Sequence, residues 1–285
     1  MKIFRSKTAL EQWLNSMRAG QQSIGFVPTM GALHEGHISL IQTAKTKAEL
    51  VVCSIFVNPT QFNDKQDFEK YPVSTDQDVD LLIKAECDAL FLPTVAEVYP
   101  DGTAGLEQFE LGFLETVLDG AARPGHFQGV VQVVSRLLKL VAPDILFLGQ
   151  KDFQQCLVLK KMVRDLGIPV QIETVPTKRE EDGLAMSSRN RRLSESARAM
   201  APLLYQCLVS IEAQQGVKSF AVVQKECWEL LEHKGVRPDY IELADADSLA
   251  PLEDYDRNKQ MVALIAAYVG DVRLIDNLVL GKVAH

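Results

Sequence analysis

The chain has 285 residues, 47% hydrophobic and 24% charged, which is typical of a globular protein and is long enough for two domains of about 100–200 residues each. The net charge of −8 argues against nucleic acid or anionic lipid as a partner, because an acidic surface repels both. No apolar run of about 18 residues and no N-terminal signal segment is present, so a cytoplasmic protein without a membrane span is predicted.

The first 177 residues alternate between short β-branched runs and longer segments with helical spacing. Buried strands are predicted for QSIGFVPT (22–29), LVVCSIFVN (50–58), DALFLPTV (88–95), DILFLG (144–149) and IPVQIETVPT (168–177). Helices are predicted over 37–48, 74–87 and 152–167. This alternation implies right-handed crossovers and an α/β fold, with a parallel sheet and helices on both faces.

The pattern changes after residue 177. A polar loop (178–194) precedes two helical segments (195–215 and 218–234) and three strand-like runs (239–246, 261–269 and 272–280). We therefore predict a first domain over residues 1–177 and a smaller α+β domain with an antiparallel sheet over 178–285.

The five cysteines are widely spaced, without a CxxC pair, and most lie in apolar runs. Buried free thiols are therefore predicted for Cys53, Cys87, Cys156, Cys207 and Cys227.

The loop PTMGALHEGH (28–37) joins a predicted strand to a predicted helix. In parallel sheets, ligands bind beyond the carboxyl ends of the strands, where the next helices begin. His34 and His37 would lie on the first helical turn, whose unpaired N–H groups favour anions, and Gly36 would let a polyphosphate approach the backbone. A metal site and an ordinary polar helix start are the alternatives for the two histidines.

Three other loops offer polar groups to such a ligand. GQKDFQQ (149–155) places Lys151 and Asp152 after a strand, although an exposed lysine is the ordinary alternative. MSSRNRR (186–192) carries Ser187, Ser188 and Arg189, which suit either a phosphate clamp or a polar linker.

The third loop follows the strand that ends at Val57 and carries Asn58, Thr60 and Gln61.

The segment STDQDVD (74–80) brings together Asp76, Asp78 and Asp80. Such carboxylates could recruit Mg²⁺, although aspartates at a helix start usually cap it. ARPGHFQG (122–129) holds Arg123 and His126 in a predicted loop before a helix and indicates little by itself.

Taken together, these segments resemble the pantothenate synthetase (pantoate–β-alanine ligase) family of the HxGH nucleotidyltransferase superfamily. The resemblance extends from about residue 3 to about residue 280 and rests on PTMGALHEGH, SIFVNPTQF, RPGHF, GQKDFQQ, MSSRN and GDVRLIDN, in family order. It implies a Rossmann-like N-terminal domain, a smaller C-terminal lid domain and a homodimer formed through the larger domain.

The resemblance also implies an ATP- and Mg²⁺-dependent ligase. In the first step, pantoate would attack the α-phosphorus of ATP to give pantoyl adenylate and pyrophosphate. In the second, β-alanine would attack the activated carbonyl, giving pantothenate and AMP. A carboxylate needs such activation, and no protein nucleophile is required.

Site residues are implied by matching motif positions. Catalytic roles fall to His34, His37, Lys151 and Arg189, with His37 as proton donor. ATP-binding positions are Met30, Gly31, His34, Gly36, His37, Gly149, Lys151, Asp152, Lys178, Met186, Ser187, Ser188 and Arg189. Pantoate-binding positions are Gln61 and Gln155, β-alanine-binding positions are Gln61, Asn58 and Arg123, and Asp78 is the position associated with Mg²⁺.

Two departures and two rival functions accompany the resemblance. Family members often have Glu at the position of Gln150 and Met at that of Thr60, neither of which carries the chemistry. A transferase that keeps the adenylylated product would use the same HxGH chemistry, but Gln61 and Gln155 favour a small hydroxy-acid pocket. A non-catalytic nucleotide sensor is disfavoured because the phosphate-directed His, Lys and Arg side chains are all retained.

Overall fold

The computed structural model describes residues 1–62, 68–69 and 71–281. The chain forms two compact units: Met1–Gly149 with Gln154–Pro176 make the first, and Gln150–Phe153 with Thr177–His285 make the second. The short segment Gln150–Phe153 thus belongs with the C-terminal part of the chain, which a single boundary at residue 177 does not capture.

Within the described residues, the strands are β1 Lys2–Phe4, β2 Ile24–Thr29, β3 Leu50–Ile55, β4 Ala89–Phe91, β5 Ile145–Gly149, β6 Gln171–Val175, β7 Arg237–Asp245, β8 Met261–Val269 and β9 Val272–Val279. The α-helices are α1 Lys7–Ala19, α2 Glu35–Lys47, α3 Thr75–Lys84, α4 Val95–Val98, α5 Leu118–Ala122, α6 His126–Val141, α7 Phe153–Asp165, α8 Glu195–Met200, α9 Leu203–Ala213 and α10 Phe220–His233. Short 3₁₀ helices cover Pro59–Gln61, Gly112–Glu115, Gln150–Asp152 and Ser188–Arg192.

The first unit is built on a six-stranded sheet in the order β1-β4-β3-β2-β5-β6. Every strand pair in it is parallel. After β1, which forms one edge beside β4, the chain passes from β2 to β3 and β4 on that side and then to β5 and β6 on the other. The carboxyl ends of β2 and β5 therefore flank the point where the strand order reverses, which is where sheets of this kind bind ligands.

Alternate side chains of the central strands enter two separate cores. Ile24 and Phe26 of β2 pack in one core with residues of α1, α6 and α7, whereas Val27 packs in the other with residues of α2 and α3. Helices therefore cover both faces of the sheet, as the continuous apolar runs predict for buried parallel strands. The predicted α/β fold class is confirmed.

The second unit has a three-stranded antiparallel sheet, β7-β8-β9, packed against α9 and α10. The prediction of one continuous helical segment over 195–215 is wrong. The structure has two helices there, separated at Ala201 and Pro202. Proline has no N–H to donate and its ring crowds the preceding turn, so the first helix ends before it.

All five cysteines are buried free thiols, as predicted. Burial raises the pKa of Cys87 to about 11, so this thiol stays protonated at neutral pH. No helix in the described parts of the chain has both the length and the apolar character that a membrane span requires.

Candidate active site

The loop after β2 leaves the sheet through a tight turn at Gly31. The φ angle of Gly31 is 82°, and a Cβ there would lie 3.0 Å from Oδ2 of Asp78. The hydroxyl of Thr29 accepts from the N–H of Gly31 (3.2 Å) and donates to the carbonyl of Ser54 (2.8 Å). Glycine is required here by both its backbone conformation and the lack of space.

Asp78 holds the next part of this loop from α3. Its side chain is 1% exposed, and its carboxylate accepts from the backbone N–H of Ala32 (2.9 Å) and of Leu33 (2.8 Å). The hydroxyl of Ser74 donates to the same carboxylate at 3.0 Å. Asp78 is therefore an anchor that fixes the loop immediately before His34.

His34 and His37 form the amino-terminal cap of α2. Nδ1 of His34 accepts from the N–H of Gly36 (3.1 Å), and the N–H of His34 donates to Nδ1 of His37 (3.3 Å). The ring centroids are 4.1 Å apart. Because each Nδ1 acts as an acceptor, the neutral rings carry their protons on Nε2. The structure thus brings two imidazole donors together at a helix N-terminus, where anions are favoured.

The 3₁₀ turn after β3 is held by Asn58. This side chain is 1% exposed; its amide donates to the carbonyl of Gly129 (3.0 Å) and to Oε1 of Gln61 (3.3 Å). The hydroxyl of Tyr99 donates to Oδ1 of Asn58 at 2.9 Å, and burial raises the pKa of Tyr99, which keeps that hydroxyl protonated. Asn58 therefore positions Gln61.

His126 links the same turn to Arg123. Its Nδ1 lies 2.8 Å from the carbonyl oxygen of Gln61, and its Nε2 lies 3.0 Å from Nη1 of Arg123. A carbonyl can only accept and a guanidinium can only donate, so the ring is neutral with its proton on Nδ1. Two of the residues predicted at the β-alanine side, Gln61 and Arg123, are therefore joined through one imidazole.

Gly129 allows α6 to approach this turn at backbone distance. A Cβ at this position would lie 2.3 Å from the carbonyl oxygen of Thr60 and 2.5 Å from Cα of Gln61. Such separations are far below van der Waals contact, so any larger side chain would displace the turn that carries Gln61.

Residues from β2 and β5 surround the reversal point of the sheet. Met30 follows β2, and its sulfur accepts a hydrogen bond of 2.8 Å from the amide of Gln61. Gly149 is the last residue of β5, and Gln155 lies in the first turn of α7, which follows. A position predicted to bind ATP and one predicted to bind pantoate are thus in direct contact.

Lys151 and Asp152 lie in the second unit, on the 3₁₀ turn Gln150–Asp152. Nζ of Lys151 is 3.4 Å from Oδ1 of Asp152. The side-chain amide of Asn277 donates to the carbonyl of Gln150 (3.0 Å) and to that of Lys151 (2.9 Å). The turn is thereby attached to β9, far away in sequence.

The loop 178–189 turns back on itself in the same unit. The N–H of Met186 donates to the carbonyl of Lys178 (3.0 Å), and the hydroxyl of Ser187 accepts from the N–H of Arg189 (3.3 Å), which caps the 3₁₀ helix that starts at Ser188. A concave region of the second unit is lined by Lys151, Ser187, Arg189, Asn190, Arg273 and Asp276, among other residues. The structure therefore collects three predicted phosphate-directed residues at one basic surface.

A magnesium site built by the protein itself does not emerge from the described residues. Within them, no three His, Cys, Asp or Glu side chains are grouped so that they could hold a metal ion. Both oxygens of Asp78 accept backbone N–H groups. The assignment of Asp78 to Mg²⁺ stays a prediction. In the structure its carboxylate holds the loop that precedes His34.

Five residues of these networks were not predicted from the sequence: Tyr99, Gly129, Arg179, Asp276 and Asn277. The last two lie in GDVRLIDN and Gly129 follows RPGHF, so the family segments indicated these regions without assigning the side chains. Tyr99 and Arg179 carried no comparable signal.

The sequence is similar to that of known proteins over nearly its whole length. A family model described as pantoate-beta-alanine ligase matches residues 2–279. The chain is 49% identical over 263 residues to a pantothenate synthetase of Pseudomonas fluorescens, covering 92% of this chain and 91% of the relative. It is 44% identical over 281 residues to that of Porphyromonas gingivalis, covering 98% and 99%.

Two solved structures are similar over nearly the whole chain. A pantothenate synthetase from Thermus thermophilus aligns with a TM-score of 0.90 and 42% identity, covering 98% of this chain and 99% of that one. A pantoate-beta-alanine ligase from Francisella tularensis, complexed with beta-gamma ATP and beta-alanine, aligns with a TM-score of 0.83 and 37% identity, covering 98% and 97%.

Proposed function

The chain belongs to the pantoate–β-alanine ligase family and is an enzyme of that family, and we propose that it joins pantoate to β-alanine through a pantoyl adenylate, with ATP as the third substrate. The observation that carries this proposal is the capped start of α2, where His34 and His37 present Nε2–H donors at the reversal point of the sheet. ATP and β-alanine accompany a similar ligase in its solved structure.

In the proposed first step, a carboxylate oxygen of pantoate forms a bond to the α-phosphorus of ATP. The bond from that phosphorus to the bridging oxygen breaks, and pyrophosphate leaves. Negative charge grows on the phosphate oxygens, so fixed donors aimed at them lower the barrier. We assign this work to His34 and His37 of the first unit and to Lys151, Ser187 and Arg189 of the second.

In the proposed second step, the neutral amine of β-alanine attacks the acyl carbon of the adenylate. The acyl–oxygen bond to AMP breaks, AMP leaves with the electron pair of that bond, and the proton lost by the amine passes to solvent as the amide forms. The protein supplies orientation rather than a nucleophile. We assign pantoate to Gln61 and Gln155, and β-alanine to Gln61 and Arg123, with Asn58 and His126 holding these groups in place.

The remaining ATP-binding positions are assigned by the same motif matches. They are Met30, Gly31, Gly36, Gly149, Asp152, Lys178, Met186 and Ser188. Four further properties remain predictions: a requirement for Mg²⁺, a homodimer, a cytoplasmic location and a C-terminal lid domain beginning near residue 178. Mg²⁺ commonly binds through substrate phosphates plus one or two carboxylates, and no step here is assigned to it.

The proposal is tested by following AMP release from ATP with pantoate, with and without β-alanine, together with mass detection of the product. We expect steady AMP formation only when both acids are present, with an equal amount of pantothenate. Nucleotide binding without turnover under every combination would overturn the proposal and favour the nucleotide sensor. Pantoate-dependent exchange of pyrophosphate into ATP separates the ligase from a transferase that keeps a nucleotidylated phosphate acceptor.

Replacing His37 by alanine is expected to slow pantoate-dependent pyrophosphate exchange by about 10–10²-fold, the value of one charge-assisted hydrogen bond of about 1.5–3 kcal/mol. Formation of pantothenate from supplied pantoyl adenylate should change much less, because no pyrophosphate is present in that step. His233→Ala, at the exposed end of α10, is the control. Equal losses in both half-reactions would contradict a role in the first step.

Replacing Gly129 by alanine is expected to raise the KM for pantoate by about tenfold, because the new Cβ must push the turn that bears Gln61 by about 1 Å. The KM for β-alanine, which is also assigned to Gln61, should rise as well, whereas the KM for ATP should change less. Steady-state kinetics with each substrate varied in turn provide the measurement, and Ser135→Ala on the same helix is the control. An unchanged KM for pantoate would show that the turn absorbs the added methyl group without moving Gln61.

A further inference from the structure

A buried ion pair adjoins the basic surface of the second unit, whose lining includes one partner of the pair, Asp276. The guanidinium of Arg179 donates two hydrogen bonds to the carboxylate of Asp276, at 2.6 and 3.0 Å, and stacks 3.8 Å above the ring of Tyr205. Asp276 is 4% exposed; burial raises its pKa and the bonds from Arg179 act in the opposite direction. A bidentate ion pair of this kind fixes both side chains in orientation as well as in position.

The neighbouring residue extends this pair to the turn that carries Lys151. Asn277 is 2% exposed, and its single amide nitrogen donates to two successive carbonyls, those of Gln150 and Lys151. Its oxygen accepts from the side chain of Gln150 at 3.3 Å. Arg179 also donates to the carbonyl of Asn277 at 3.3 Å. The backbone of the Lys151 turn is therefore attached to β9 by one side chain.

The same guanidinium holds the loop that leads to Ser187 and Arg189. Arg179 donates to the carbonyl of Gly183 at 3.1 Å and forms an isolated antiparallel bridge with Ala185. Gly183 has a φ of 91°, and a Cβ there would lie 2.4 Å from the ring of Tyr205. The turn of the loop is thus fitted against the same stacked pair.

We infer that Arg179, Asp276 and Asn277 are positioning residues that set Lys151 and the Ser187–Arg189 segment in one fixed arrangement for the adenylation step. This inference rests on the proposed function and deepens it. Charge stabilisation depends on donors that are already in place, and a misplacement of about 1 Å can cost about 10²-fold in rate. Without Asn277, both carbonyls of the Lys151 turn lose their shared donor.

Asn277 is the residue that tests the inference, because its contacts reach Lys151 through the backbone only. We expect Asn277→Ala to slow pantoate-dependent pyrophosphate exchange by about tenfold. This is less than the loss of about 10²-fold in rate that a misplacement of about 1 Å can cause. Synthesis of pantothenate from supplied pantoyl adenylate should stay within about twofold, since a local change leaves the fold intact. Gln260→Ala is the matched control: it also removes a side-chain amide that donates to a backbone carbonyl of the second unit, that of Leu280 at 2.7 Å.

A double-mutant cycle separates positioning from a general loss of stability. If Asn277 acts through Lys151, then Asn277→Ala should cost little more in a Lys151→Ala background, because the group that it positions is already gone. Equal costs in the two backgrounds would overturn the inference, as would a normal exchange rate in the folded single mutant. If Asn277→Ala does not fold, Asn277→Leu keeps a similar volume, removes the amide donor without adding a charge and takes its place in the cycle. A wild-type enzyme without pantoate-dependent exchange would instead overturn the proposed function, and the inference with it.

Discussion

Replacing Lys151 by alanine is expected to lower the rate of adenylate formation by about 10²–10³-fold, which is the usual cost of removing one fixed donor that faces developing charge. The Lys151 side chain is 18% exposed and lines the concave surface shared with Ser187 and Arg189. Three of the side chains in that lining are basic, and its one carboxylate, that of Asp276, is paired with Arg179. A polyphosphate would therefore meet a net positive charge there.

The fold should survive this substitution, because the contacts that hold the turn use the backbone carbonyl of Lys151, which alanine retains. Rates of pyrophosphate exchange and thermal unfolding would be measured on the same preparations. Lys160→Ala, which removes an exposed lysine from α7, should leave both unchanged. Lys151→Arg should restore little, since a planar guanidinium does not replace a compact ammonium in a fitted site.

A well-folded Lys151→Ala enzyme with normal exchange would remove Lys151 from the chemistry. The basic surface would then act through Arg189 and Arg273 alone. Loss of pyrophosphate exchange together with loss of pantothenate synthesis from pantoyl adenylate would point instead to a disturbed fold.

The parallel sheet could be predicted because its strands are buried on both faces. Runs such as LVVCSIFVN are apolar throughout and are separated by helical spacing, which suits few other folds. The strand β1 was not predicted, since three residues of strand give no measurable period. The helix α1 was not predicted either, although Leu10 and Leu14 on its buried face lie at helical spacing. The break at Pro202 was missed because apolar spacing continues on both sides of it.

The individual hydrogen bonds of the site could be predicted only where residues near in sequence make them. His34 and His37 lie three residues apart, so their shared helical turn could be anticipated. Asn277 reaches the turn of Lys151 across more than a hundred residues, and no local pattern records that contact. Asp78 shows a related difficulty: a carboxylate at a helix start predicts a cap or a metal ligand, and the structure finds it bonded to a separate loop.

Replacing Asp78 by alanine is expected to lower the free energy of unfolding by about 2–6 kcal/mol, because two buried N–H groups lose their acceptor at about 1–3 kcal/mol each. These donors belong to Ala32 and Leu33, directly before the cap formed by His34. Adenylation should therefore fall as well. Denaturant unfolding and pyrophosphate exchange would be measured together, the latter over a range of Mg²⁺ concentrations.

Asp76→Asn is the matched control, because Asp76 is exposed in the first turn of the same helix. It removes a similar charge from the helix start, where such charges contribute only about 0.3–1 kcal/mol. If Asp78 anchors the loop, Asp78→Asn should weaken folding while the Mg²⁺ concentration for half-maximal rate stays constant. If Asp78 instead binds the metal, folding should be little affected and that concentration should rise. The two oxygens already accept hydrogen bonds at 2.8 and 2.9 Å from the loop, so the first outcome is the one that the geometry favours.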